Sequence, residues 1–145
     1  MKASNTAPDG SGIASHDAFG AAVALSSDGS TLAVGARFES SAAIGIGGDQ
    51  VDDSALDAGA VYLFSRVAVA WAQAAYVKAS NTDGNDQFGW AIAVSSDAST
   101  LAIGAAGSCG SGSIGAMCGE ASNASGINGA QTSNSAPGAG AVYLY

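Results

Sequence analysis

The chain is poor in charge, in aromatic residues, in proline and in cysteine. Only 11% of its 145 residues are charged, and four Lys or Arg face 12 Asp or Glu, for a net charge of −8. Nucleic-acid binding needs clustered cations to neutralise phosphates. Lys2, Arg37, Arg66 and Lys78 lie far apart in the sequence, so nucleic acid is excluded as a partner. An anionic membrane surface is disfavoured for the same reason. No apolar run is long enough to span a bilayer. Val61 to Val77 comes closest and is broken by Ser65, Arg66 and Gln73, so no membrane insertion is expected. Two cysteines and one distant histidine, His16, are too few for a zinc site. The low charge also argues against disorder driven by repulsion.

What is abundant is repetition. Val23–Ala36 reads VALSSDGSTLAVGA and Ile92–Ala105 reads IAVSSDASTLAIGA, identical at ten of fourteen positions. Lys2-Ala-Ser-Asn-Thr6 returns as Lys78-Ala-Ser-Asn-Thr82, and Phe19-Gly20 as Phe88-Gly89. Ala58-Gly-Ala-Val-Tyr-Leu-Phe64 returns as Ala139-Gly-Ala-Val-Tyr-Leu-Tyr145. The offsets between these anchors are 76, 69 and 81 residues, so the anchors are fixed and the spacers vary. Strands joined by surface loops behave in this way. Self-similarity of this kind decides architecture before any single residue does. The division is residues 1–79 for the first repeat and 80–145 for the second. The extra residues of the second repeat lie between Ala106 and about Ser125 and hold both cysteines.

The pattern is that of strands. Phe88, Trp90, Ile92 and Val94 alternate with Gly89, Ala91, Ala93 and Ser95, and Phe19, Ala21, Val23 and Leu25 alternate with Gly20, Ala22, Ala24 and Ser26. A period of two marks a strand, and a face of Gly and Ala implies close approach of another sheet. Ser27-Asp-Gly-Ser30 and Ser96-Asp-Ala-Ser99 are turns. Second strands follow at Thr31–Ala36 and Thr100–Ala105, third strands at Gly59–Ser65 and Gly140–Tyr145, and a fourth at Trp71–Lys78 in the first copy only. The fold class is therefore all-β: two four-stranded antiparallel blades of a β-propeller, the second lacking its outer strand.

The Phe-Gly pair opening the first strand and the Gly-Ala pair closing the second resemble the FG-GAP repeat of integrin-α-type β-propellers, in particular the long-loop bacterial proteins. The pairs are Phe19-Gly20 with Gly35-Ala36 and Phe88-Gly89 with Gly104-Ala105; Arg37 and Ala106 stand where that family has proline. The resemblance implies a secreted or cell-surface protein that binds protein or glycan ligands through its loops. The integrin-type calcium loop between the first two strands does not carry over. Asp28 and Asp97 each stand alone there, and calcium takes six to eight oxygens.

Two other features invite a chemical reading. Asp49, Asp52, Asp53 and Asp57 put four carboxylates in nine residues, a candidate calcium site set against a solvated acidic loop. The matching stretch of the second repeat, Ala130–Gly138, has no carboxylate, which favours the solvated loop. Cys109 and Cys118 bracket a Gly-rich insertion, and a local disulfide is the favoured reading, stabilising by roughly 2–3 kcal/mol. His16-Asp17 has no counterpart in the second copy and no nucleophile tied to it by pattern, so no catalytic residue is assigned.

The function expected is a non-catalytic extracellular binding or adhesion module, a fragment of a larger propeller whose chain starts and ends inside a repeat. Its neighbours would be further blades or identical chains. One alternative is a partial propeller that closes a ring from several copies of itself. Another is part of a secreted propeller lyase or hydrolase. Any function carried here lies in the variable segments Arg37–Asp57 and Ala106–Gly138 rather than in the repeated strands.

Overall fold

A computed structural model describes residues 17–107 and 140–145. Its elements are β1 (Phe19–Leu25), β2 (Thr31–Ala36), β3 (Ala60–Val67), β4 (Ala70–Val77), β5 (Phe88–Val94), β6 (Leu101–Ala105) and β7 (Ala141–Leu144). They form two antiparallel sheets, one in the order β1-β2-β3-β4 and one in the order β5-β6-β7. The all-β architecture read from the repeats is the one observed, with three strands in the second sheet against four in the first.

The two sheets share one register. β1 pairs with β2 through Val23↔Val34 and Leu25↔Leu32, and β5 pairs with β6 through Ile92↔Ile103 and Val94↔Leu101. Each first strand carries the same irregularity. Phe19 opposes Ala36 but Ala22 opposes Gly35, so Gly20 and Ala21 are extra; Gly89 and Trp90 are extra in the same way. Two extra residues preserve the period of two. Phe19 therefore stays on the face of Val23 and Leu25, while Ala21 and Trp90 leave the apolar row that simple alternation gives them. The bulge needs positive φ at Gly20 (95°) and Gly89 (90°), which L side chains rarely adopt. Trp90 is consequently 45% exposed and lies against the guanidinium of Arg37, 4.5 Å from its carbon to the ring centroid.

Both β1–β2 and β5–β6 turns are organised by one aspartate. Asp28 accepts hydrogen bonds from the Ser26 hydroxyl (2.6 Å), the Ser30 N–H (3.0 Å) and the Ser30 hydroxyl (2.9 Å). Asp97 accepts the same three from Ser95 and Ser99 at 2.6, 3.1 and 2.9 Å. These bonds favour the charged carboxylate and hold both groups at a pKa of about 2. Between β3 and β4 the chain turns through Ala68 and Val69 alone. Neither Gly nor Asn is present, and Ala68 itself takes the positive φ (56°) that two-residue hairpin turns require.

The core lies between the sheets. One face of the first sheet presents Ala33, Val61 and Val77, with Leu63 and Ala75 partly covered. Against it pack Phe88, Leu101, Ile103 and Tyr143 of the second sheet, with Ile92, Val94 and Tyr145. Phe88 is fully buried and meets Tyr143 and Tyr145 edge-on, with centroids 5.3 and 6.3 Å away. Such edge contacts contribute about 0.5–1.5 kcal/mol each beyond area burial. The opposite face of the first sheet gathers Val34, Ala36, Ala60, Tyr62, Phe64 and Tyr76, with Phe19 edge-on to Tyr62 at 5.4 Å.

The approach of the sheets is set by glycine. A Cβ on Gly35 would strike the carbonyl oxygen of Gly89, and one on Gly89 would sit 2.7 Å from the carbonyl oxygen of Ala60. Gly59 lies against the backbone of Phe88, with which it forms a parallel bridge. The Gly-Ala pair of one repeat and the Phe-Gly pair of the next are thus the two halves of one backbone contact.

Two outcomes follow from this geometry. Gly35→Ala lowers stability by about 1–3 kcal/mol, the usual cost of overpacking a tight interior site, read by denaturant unfolding. Gly20→Ala meets no neighbouring atom and alters only the φ preference, so it separates strain from collision. The aspartate turns fix an acid limb. A carboxylate whose folded pKa is depressed contributes stability above its unfolded value near 4 and loses it as pH falls toward about 2. Carboxyl NMR of Asp28 and Asp97 should show midpoints about 2, and the Asp28→Asn, Asp97→Asn double variant should flatten the stability profile between roughly pH 4 and 2.

Candidate binding surface and the buried ion pair

The segment between β2 and β3, residues 37–59, does not wander over the surface. Ile46 bridges to Val77 in antiparallel fashion, the Gly47 N–H donates to the Tyr76 carbonyl of β4 (2.9 Å), and just past β4 the Lys78 N–H donates to Gly45 O (2.8 Å) and the Gly45 N–H to Ala79 O (3.2 Å). The loop thus extends the edge of the first sheet. Inside it, the Ser41 hydroxyl donates to the Asp49 carbonyl (2.7 Å), and the Ala42 N–H donates to the Asp52 carboxylate (2.7 Å).

Beneath the loop lies an ion pair with no solvent access. The Lys78 ammonium is 2.9 Å from Glu39 Oε2, and the two side chains are 0% and 1% exposed. Burial pulls the Lys78 pKa down; Glu39, then Asp86 and Asp52, oppose the drop. Glu39 also accepts the Ser41 N–H at 3.2 Å. Burial, followed by the nearby Glu39 carboxylate, pushes the Tyr76 phenol far above its ordinary value, so Tyr76 stays protonated. Asp86, itself buried, accepts the Asp83 N–H at 2.7 Å. The residues after Lys78 complete the join. The Tyr145 hydroxyl donates to the Lys78 carbonyl (2.7 Å) and that of Tyr143 to Asn81 Oδ1 (2.6 Å). In its second copy, Lys78–Thr82, the Lys-Ala-Ser-Asn-Thr motif is therefore the joint between sheets, tied to the loop by its lysine, to β7 by its asparagine and to Tyr145 by its backbone.

The four aspartates singled out in the sequence are all in or beside this loop. Asp49 accepts the Val51 N–H (2.9 Å). Asp52 accepts bonds from Ala42 and from the Ser54 N–H and hydroxyl, which lower its pKa. Asp57 has a positive φ of 55°, and burial raises its pKa. Asp53 lies near enough to Asp17 to help raise that group, after burial and Glu39. Among the described residues no group of three or more His, Cys, Asp or Glu is arranged to hold a metal ion. Cys109 and Cys118, with their expected disulfide, lie outside the described residues, as do His16 and the first Lys-Ala-Ser-Asn-Thr motif.

Beside the exposed Asp49, Asp53 and Ser54, the loop turns large apolar side chains to solvent. Ile44, Ile46, Val51 and Leu56 are all exposed. Sequence reasoning pointed to the loop through its carboxylates and missed both these side chains and the Lys78–Glu39 pair. The recurrence of Lys2 at Lys78 was the one available signal. Glu39 has no counterpart in the second repeat, where Ser108 occupies its place.

Residues 71–117 match the FG-GAP repeat family. The match runs from β4 through β5 and β6 and takes in Phe88-Gly89, which closes the contact between the sheets, and Gly104-Ala105, the counterpart of the Gly35-Ala36 pair it meets. Over this segment the chain is similar to an FG-GAP repeat. No curated protein and no solved structure matches the chain. Arg37, just outside the matched segment, is held between Phe38 and Trp90, each ring centroid 4.5 Å from the guanidinium carbon.

The ion pair makes a double-mutant test direct. Lys78→Met leaves Glu39 buried against an apolar chain and should cost about 3–5 kcal/mol of unfolding free energy. Lys78→Met with Glu39→Leu removes both charges and should recover most of that loss. A double variant no more stable than the single would show that the two groups are not coupled.

Proposed function

We propose that the chain is a non-catalytic binding and adhesion module of the extracellular space or cell surface. It would form part of a larger FG-GAP β-propeller and take protein or glycan ligands on its loops. The observation that supports this reading most is the loop of residues 37–59. It is held by a buried ion pair and by backbone bonds to a sheet edge, yet it turns Ile44, Ile46, Val51 and Leu56 outward. Apolar side chains on a segment already fixed in place lose little entropy on binding, which is the economy of a recognition loop. The repeated strands serve as the frame.

Binding of the chain to arrays of glycans and of extracellular proteins tests the reading. A ligand should be found whose affinity falls at least tenfold in the Ile44→Ser, Val51→Ser, Leu56→Ser triple variant. The unfolding midpoint should stay unchanged, because these side chains are exposed. A ligand held equally by the triple variant would place recognition elsewhere.

A further inference from the structure

The Lys78–Glu39 pair brings an amine and a carboxyl together without water. Nζ lies 2.9 Å from Oε2, and the two side chains are 0% and 1% exposed. On a protein surface such a pair does not react. The ammonium has no lone pair to give, the carboxylate is a poor electrophile, and water competes for the carbonyl carbon. Burial reverses each of these. It holds the Lys78 amine below its ordinary pKa, which favours passage of the ammonium proton to the facing carboxylate. That transfer leaves a free amine and a neutral carboxylic acid, the two partners of amide formation. The surrounding groups are those an acyl transfer needs. The Ser41 N–H already donates to Glu39 Oε2 at 3.2 Å. The Tyr76 hydroxyl is buried beside Glu39 and makes no hydrogen bond of good geometry. A buried donor left unused is uncommon and costly. It has a use when the carbonyl oxygen of the neutral acid takes on charge under attack. Asp86, 1% exposed, is the next carboxylate after Glu39 to act on Lys78, and it can carry a proton between nitrogen and oxygen.

We propose that Lys78 and Glu39 condense after folding into an isopeptide bond, a covalent cross-link between the start of the 37–59 loop and the joint of the two sheets. The Nζ lone pair attacks Glu39 Cδ, and Ser41 and Tyr76 donate to the oxyanion that forms. Nζ then gives up a proton, by way of Asp86, to the departing oxygen on Cδ. The C–O bond breaks and one water leaves. Ammonium and carboxylate thus become amide and water, with no oxidant, reductant or cofactor. The burial that kept water from the reactants also keeps it from the amide, so hydrolysis is slow. Newly folded chain holds the ion pair, on which the unfolding test of Lys78 and Glu39 is made, and ages into the amide. The bond closes a covalent ring from residue 39 to residue 78 and constrains the unfolded chain as a disulfide does. It stands whether or not the loop takes a ligand.

The intact mass of the full chain, with its cysteines reduced and held folded at neutral pH until the mass is constant, tests this. The chain should become lighter by one water, and the same chain kept in denaturant should not. Trypsin cuts after Arg66 but not after an acylated lysine, so the digest should hold residues 38–66 joined to 67–145. Lys78→Arg should keep its full mass. Tyr76→Phe should unfold like newly folded unmodified chain, because the lost hydroxyl makes no bond, yet lose water about a hundredfold more slowly. A folded chain that keeps its full mass overturns the proposal. So does a water loss that the digest places elsewhere, as at Asp28-Gly29 or Asp83-Gly84, where cyclisation of the aspartyl side chain changes the mass equally. Should Lys78→Arg fail to fold, the digest of the unmodified chain decides alone: a free 38–66 peptide refutes the bond, and the joined product establishes it.

Discussion

The close backbone approach at Gly35, Gly59 and Gly89 is the constraint on which the rest of the structure depends. Gly89 can sit against the first sheet only because neither it nor Gly35 carries a Cβ. That seating puts Phe88 into the interior, where it meets Tyr143 and Tyr145 edge-on and is wholly removed from water. It also brings residues 85–88 alongside 56–58, so that the Asn85, Gln87 and Phe88 N–H groups donate to Leu56, Asp57 and Ala58 at 2.8, 3.0 and 2.9 Å. Unpaired, these buried backbone groups would each cost about 1–3 kcal/mol. The glycines thus make possible both the apolar core and the polar seam beside it.

The Lys78–Glu39 pair belongs to the same seam. Desolvating two charges costs several kcal/mol, and their attraction at 2.9 Å repays it only with help from other groups. That help comes from the Ser41 N–H on Glu39 and from the Asp86 and Asp52 charges near Lys78. An apolar pair would fill the space as well but would fix no direction. The charged pair ties one residue of the loop to one residue of the joint, and the Gly59 N–H bond to the Glu39 carbonyl (2.8 Å) fixes the loop's return. The segment exposing Ile44, Val51 and Leu56 is thereby anchored at its start and its end.

Much of this was legible in the residues, because repetition supplies an internal control. Strands agreed between the copies and spacers did not, so the strands, their order and the turns at Asp28 and Asp97 could be read directly. The smaller-residue face announced the approach of a second sheet. Two things were hidden. The bulge at Gly20 and Gly89 does not disturb alternation, since two extra residues restore the period, and so Trp90 read as a packed strand residue when it faces Arg37. The ion pair was hidden for the opposite reason. Lys78 repeats, but its partner comes from the segment where the copies differ, and only the fold brings residue 39 to residue 78.

The even count of the bulge also explains how one strand serves two purposes. A one-residue insertion would turn Phe19 away from Val23 and Leu25, or Phe88 away from Ile92 and Val94, and the aromatic face would be broken. With two, Phe19 and Phe88 keep to the apolar row, and in β5 the bulge also brings Gly89 against the first sheet. Closeness at one end of the sheet and a continuous apolar face along its length are then compatible. A repeat built in this way can be both the covering and the covered member of a junction, which is the property a stack of like units requires and a single sandwich of two unlike sheets does not.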